Sequence, residues 1–157
     1  MTEKSNILVC LDCIDITRSS NITLRYACYK AKKTGFSVQI LVVIESSYKS
    51  LLFVSKIVGE DKRAQVQEHL KNLIEEVGKE TGIIPTISIR EGDVAREILE
   101  EIKADQDCAM VILGKSSTSL SDNTVLPIIS RKIGSIIKVP VVVVPDNMHT
   151  DYLKRLS

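Results

Sequence analysis

Met110-Val-Ile-Leu-Gly114 runs into Lys115-Ser-Ser-Thr-Ser-Leu-Ser-Asp-Asn-Thr124, and the same stretch closes on Val139-Pro-Val-Val-Val-Val-Pro145. The first piece is an apolar run of strand length ending in glycine, the second a loop rich in hydroxyls, and the last a β-branched strand. Between Thr124 and Val139 the apolar residues recur at helical spacing. A buried strand, a polar loop and a helix N-terminus in this order are the parts from which α/β proteins build a phosphate cradle.

Upstream of that stretch, short apolar runs alternate with amphipathic helices, the pattern of a doubly wound parallel sheet. Ile7-Leu-Val-Cys-Leu11 is the first strand. Ser19 and Ser20 are candidate caps of a helix whose apolar face is Leu24, Ala27, Cys28 and Ala31, and Gly35 ends it. Val38-Gln-Ile-Leu-Val-Val-Ile44 is nearly all apolar, which argues for burial on both faces and a central place in the sheet.

Asp61 to Lys79 carries Val66, Leu70, Leu73, Ile74 and Val77 on one face, with Gly82 just beyond. Pro85-Thr-Ile-Ser-Ile89 alternates, as a strand near an edge does. Asp93 caps a third helix with core face Val94, Ile98, Leu99 and Ile102. Ala109 to Leu113 and Val141 to Val144 complete five strands. The segment Tyr48 to Val58 either covers the sheet end, starts the long helix, or forms a lid for a partner or ligand.

The length of 157 residues and 44% apolar composition suit one domain, placed at 1–147, followed by a polar C-terminal tail at 148–157 that frays or forms a short helix. Twenty-one basic against twenty acidic side chains give no broad positive field of the kind nucleic acid or an anionic membrane attracts. The apolar stretches fall far short of the roughly 18 to 20 residues that span a bilayer. With no secretory pattern at the N-terminus, the expectation is a cytoplasmic protein whose four cysteines are reduced.

The order of these elements, with the residues at their joints, resembles the universal stress protein family over about Asn6 to Pro145. Asp12 ends the first strand; Ser19-Ser20-Asn21 opens the next helix; Arg90-Glu91-Gly92-Asp93-Val94-Ala95-Arg96-Glu97-Ile98 leads into the third; Val111-Ile-Leu-Gly114 and Val139 to Val144 form the last two strands. The resemblance implies a three-layer, Rossmann-like fold with a five-stranded parallel sheet in the order 3-2-1-4-5. It also implies an adenine site at Asp12 and the backbone near Val43. The alternative for Asp12 is that it only organises the turn with Ser19 or Ser20.

The nucleotide-binding branch of that family has a glycine after the fourth strand, a second three positions on, nine residues, then glycine with serine or threonine. Gly114 matches the first position. The others fall on Ser117, Pro127 and Ile128. Proline offers no N–H and adds bulk, and isoleucine replaces a hydroxyl with hydrocarbon. With Thr124 as cap, Pro127 falls in the first turn of its helix, where its missing donor is not needed.

Two readings of the loop follow. In the first, no cofactor is bound and the protein is a non-enzymatic binding or regulatory member of a stress response. In the second, Gly114, Lys115, Ser116 and Ser117, with Asp12 and Val43, hold ATP or another adenine nucleotide, with weak hydrolysis or autophosphorylation on Ser116 to Ser119. Other chemistry has little support. Cys10-Leu-Asp-Cys13 straddles a strand end instead of opening a helix, and His69 and His149 have no second metal ligand at local spacing. Response-regulator chemistry needs an acidic residue where Ile89 and Arg90 stand. Val141 to Val144, short and β-branched at a sheet edge, is expected to pair with a second copy in a homodimer, unless the tail after Asn147 covers it.

Overall fold

A computed structural model describes the chain except residues 1–4, 12–18, 46–51, 116–121, 146 and 157; for residues 19–20, 45, 52–62, 115, 122–124, 150 and 156 it describes the backbone only. Five strands, β1 (Asn6–Leu11), β2 (Ser37–Glu45), β3 (Thr86–Gly92), β4 (Cys108–Lys115) and β5 (Val141–Pro145), form one sheet in the order β3-β2-β1-β4-β5. Every pairing is parallel. Helices α1 (Ser19–Thr34), α2 (Leu52–Thr81), α3 (Val94–Ala104), α4 (Asp122–Arg131) and α5 (Thr150–Leu156) complete the described elements.

The central strands are apolar at every step because both faces are covered. Ile7, Val9, Leu11, Val38, Ile40 and Val42 pack with Leu24, Ala27, Cys28 and Ala31 of α1 and Val66, Leu70, Leu73 and Val77 of α2. Leu8, Cys10, Leu41 and Val43 point the other way, against Ala95, Ile98, Leu99 and Ile102 of α3 and Ile129 of α4. Three layers result, with two apolar cores separated by the sheet.

Glycines end the first two helices as expected. Gly35 and Gly82 take φ of 80° and 76°, and their N–H groups bond Ala31 O and Gly78 O at 2.7 and 2.8 Å. Asp93 caps α3, its Oδ2 accepting from Arg96 N at 3.1 Å. Val94, placed on the core face by its spacing, is only half-buried.

The long helix starts at Leu52, upstream of Asp61, so of the alternatives for Tyr48 to Val58 the start of the long helix holds from Leu52 on. Two expectations are corrected. Ser19 and Ser20 occupy the first two helical positions and do not precede them. α4 starts at Asp122, which puts Thr124 inside the helix and Pro127 sixth in it, past the first turn. A helical residue there would donate to the carbonyl of Asn123, and proline cannot. Burial of Ile129, with Val125 and Leu126 packed beside it, compensates for the missing bond.

The C-terminal residues that read as polar contribute to the core. Leu153 of α5 is fully buried in the α1 and α2 cluster. No described helix is long and apolar enough to cross a membrane.

Candidate functional site

In the order β3-β2-β1-β4-β5 the connections leave in opposite directions on either side of β1 and β4, so the crevice at the carboxyl ends of these two strands is the switch point where open α/β sheets take ligands. Leu11 ends β1 and Lys115 ends β4. Asp12, Ser116 and Ser117 lie outside the described residues, as does the side chain of Lys115.

Gly114 and Val43 are described, and they serve opposite faces. Val43 pairs with Arg90 of β3 and is buried on the α3 side. Gly114 pairs with Val144 and lies against α1. A Cβ on Gly114 would overlap the Oγ1 of Thr23 and come within 3.3 Å of its Cβ. Thr23 is buried in the second turn of α1. The glycine therefore has a packing reason to be there: it lets the first helix close down on the fourth strand. Nothing in the sequence links the two residues, because the contact joins distant parts of the chain.

Two further features of this end went unread in the sequence. The side-chain Oδ1 of Asn21, in the first turn of α1, is buried without a hydrogen-bond partner among the described residues. On the other side, Gly92 takes φ of 152° at the end of β3, and a Cβ there would fall 2.8 Å from Glu97 Oε1. That carboxylate is positioned by Arg90, whose Nη1 donates to Glu97 Oε2 at 3.0 Å and whose Nε donates to Glu101 Oε2 at 2.6 Å. Hydrogen bonding to Glu97, then to Glu101, raises the Arg90 pKa further.

The network continues away from the crevice. Gln39 Nε2 donates to Glu101 Oε1 at 2.5 Å, and Asn6 Nδ2 donates to Gln39 Oε1 at 3.2 Å and to Asp105 Oδ2 at 2.8 Å. It satisfies a carboxylate that α3 buries and ties β3, β2 and β1 together under that helix.

Burial disfavours the thiolate form of each described cysteine. Burial, with Cys108 and Glu101 adding to it, pushes the Cys10 thiol up, and burial holds the Cys28 thiol at about 12. Cys13 lies outside the described residues. His69 is exposed on α2, its Nδ1 2.8 Å from Gln65 O. Among the described residues no group of three His, Cys, Asp or Glu side chains is placed to hold a metal.

The architecture matches known structures. Universal stress protein UspA from Lactobacillus plantarum superposes with a TM-score of 0.73 at 15% identity, over 92% of this chain and 99% of that one. A universal stress protein family member from Burkholderia pseudomallei gives 0.65 at 18% identity, over 92% and 98%. The universal stress protein from Archaeoglobus fulgidus, solved in complex with dAMP, gives 0.60 at 15%, over 90% and 98%. A search of curated protein sequences finds no match. At such identities these likenesses show the shared fold. The sequence profile of the Universal stress protein family matches residues 4–145, and the chain belongs to that family.

Proposed function

We propose that this universal stress protein is a non-enzymatic binding or regulatory member of a cytoplasmic stress response, with impaired binding of ATP, acting as a homodimer through Val141 to Val144. The observation that carries the reading is the position of Pro127 and Ile128. They stand where the nucleotide-binding branch places glycine and a hydroxyl, yet Pro127 lies inside α4 without an N–H to offer and both side chains are exposed. Gly114, the one motif position retained, is accounted for by Thr23 without any phosphate. Loss of two or three donors, each contributing about 1.5 to 3 kcal/mol toward a charged group, lowers affinity by several powers of ten.

Mass spectrometry of small molecules released from the purified protein tests this. No adenine nucleotide is expected, and one present in stoichiometric amount would overturn the reading. Pro127→Gly with Ile128→Ser restores the donors, and titration calorimetry with ATP is expected to show a gain in affinity; no gain means other residues block the site.

The second reading is a nucleotide sensor with a divergent phosphate loop. The dAMP complex of the Archaeoglobus fulgidus protein favours it, because that relative shares the fold. Calorimetry with AMP and ATP on the unmodified chain decides between the two.

A further inference from the structure

We propose that the open edge of β3 is a second self-association edge, at which two copies of the chain pair their β3 strands antiparallel about a two-fold axis. Native edge strands are blunted by shortness, by a bulge, by an outward lysine or by a proline within the strand. β3 has none of these over Thr86 to Ile89. It is seven residues long, its register with β2 runs unbroken from Thr86 to Gly92, and Thr86-Ile-Ser-Ile89 carries no charge. Pro85 stands before the strand and not in it. The charges that follow are engaged, Arg90 by Glu97 and Glu101, and Glu91 by Arg63 at 3.5 Å.

This edge also carries exposed apolar side chains. Ile84, just before the strand, is 84% exposed, the most of any large hydrophobic residue among the described residues, and Ile87 is 43% exposed. Alternation along the strand puts Ile87 on the face of Ile89, which packs against the α1 and α2 cluster, and puts Thr86 and Ser88 on the α3 face with Arg90.

Self-complementarity selects a second copy as the occupant. A two-fold axis through Ile87 sets this residue against its own symmetry mate on one face and Thr86 against Ser88 on the other, the apolar and hydroxyl pairs that stabilise antiparallel ladders. Pro85 then faces Ile89 and Ile84 faces Arg90, so no like charges meet. β3 lies at the opposite edge of the sheet from β5, and two separate two-fold edges build an open row of copies where one edge would build a closed dimer. Half of the residues from Thr86 to Ile89 carry hydroxyls, so pairing here buries less apolar surface than the valines of β5 and follows at higher concentration. The proposal does not rest on β5 pairing, because a chain that lacks it still dimerises through β3.

Sedimentation velocity of the full chain from about 10 to about 500 μM tests the proposal. The parent is expected to grow past the dimer toward the upper concentration, and Val143→Asp, with β5 pairing broken, to pass from monomer to dimer and no further. Ile87→Lys sets two ammonium groups face to face at the axis and should move growth to at least about tenfold higher concentration, whereas Ile87→Val keeps it. Circular dichroism checks that each variant is folded. Ile133→Lys, at an exposed site beyond α4, leaves growth past the dimer unchanged. A parent that does not grow, growth undiminished by Ile87→Lys, an equal loss in Ile133→Lys, or a Val143→Asp chain that stays monomeric would overturn the proposal. A parent that is monomeric at the lowest concentration and forms an Ile87-dependent dimer at the highest would sink β5 pairing and support β3 pairing, so the two failures are distinguishable.

Discussion

Gly114 sits where a glycine serves either a ligand or a neighbouring side chain, and Thr23 shows that the second use is real. A methyl group at this position has no room while Thr23 stays in place. Gly114→Ala is expected to destabilise the fold by about 1 to 3 kcal/mol through forced separation of α1 from β4. Thr23→Ala removes the closest obstructing atom, the Oγ1, and leaves the Cβ, so the double variant should lose less than the sum of the single ones, by at least about 0.5 kcal/mol in urea unfolding. Strict additivity would mean that Gly114 is required for something other than this contact. The glycine itself is visible in the sequence as the end of an apolar run, but its partner is not, because a tertiary contact leaves no local periodicity. The same holds for Arg90: its charge is plain, while its two carboxylate partners on α3 depend on the register that sets β3 beside β2.

Elements with strong periodicity were legible, and their ends were not. The core faces of α1, α2 and α3 follow from spacing alone, whereas the start of α2 is obscured by an apolar run that fits strand, lid or helix. α4 began earlier than its hydroxyls suggested, and that shift changes the energetics of Pro127. In a first turn the proline would be neutral; as the sixth residue it removes a bond to Asn123 O. Pro127→Ala, at an exposed site, is therefore expected to raise stability by about 1 to 3 kcal/mol, and thermal unfolding that shows no gain would return the proline to the first turn.

The clamp between α1 and α2 gives a pH signature at the same scale. Burial works to raise the Glu80 pKa, but hydrogen bonds from Tyr29 and from Arg25 outweigh it and hold the carboxyl below its usual value of 4.5. Tyr29 keeps its donor proton, because burial, then the bond to Glu80, pushes its pKa to about 12. A lowered carboxyl pKa adds stability above the usual value and loses it as pH falls through the lowered one. Glu80→Gln should be less stable than the parent at pH 7, and the melting temperatures of the two should converge as pH falls below the usual carboxyl value of 4.5. Parallel curves would show that the clamp contributes nothing through charge.

At the scale of the whole molecule, a fully parallel sheet closes neither of its edges, so β3 and β5 each keep one side without a strand partner among the described residues. The three layers were legible because central strands buried on both faces must be apolar at every step, whereas the strand order came with the family resemblance. The burial of Leu153 was not legible, since a single apolar residue in a polar segment has no period to read. α5 packs on α1, leaving β5 with only β4 beside it in the described sheet and Val143 39% exposed. A two-fold axis along this edge would pair identical strands, and Pro140 and Pro145 would limit the pairing to the four valines between them. Any substitution there is duplicated by the symmetry. Val143→Asp would put two carboxylates into one desolvated ladder and should weaken the dimer at least about 100-fold, the equivalent of about 3 kcal/mol. Sedimentation velocity at micromolar concentration is expected to give a dimer for the parent chain and a monomer for the variant, each with unchanged circular dichroism. A parent that sediments as a monomer, or a variant that remains dimeric, would place self-association elsewhere or remove it.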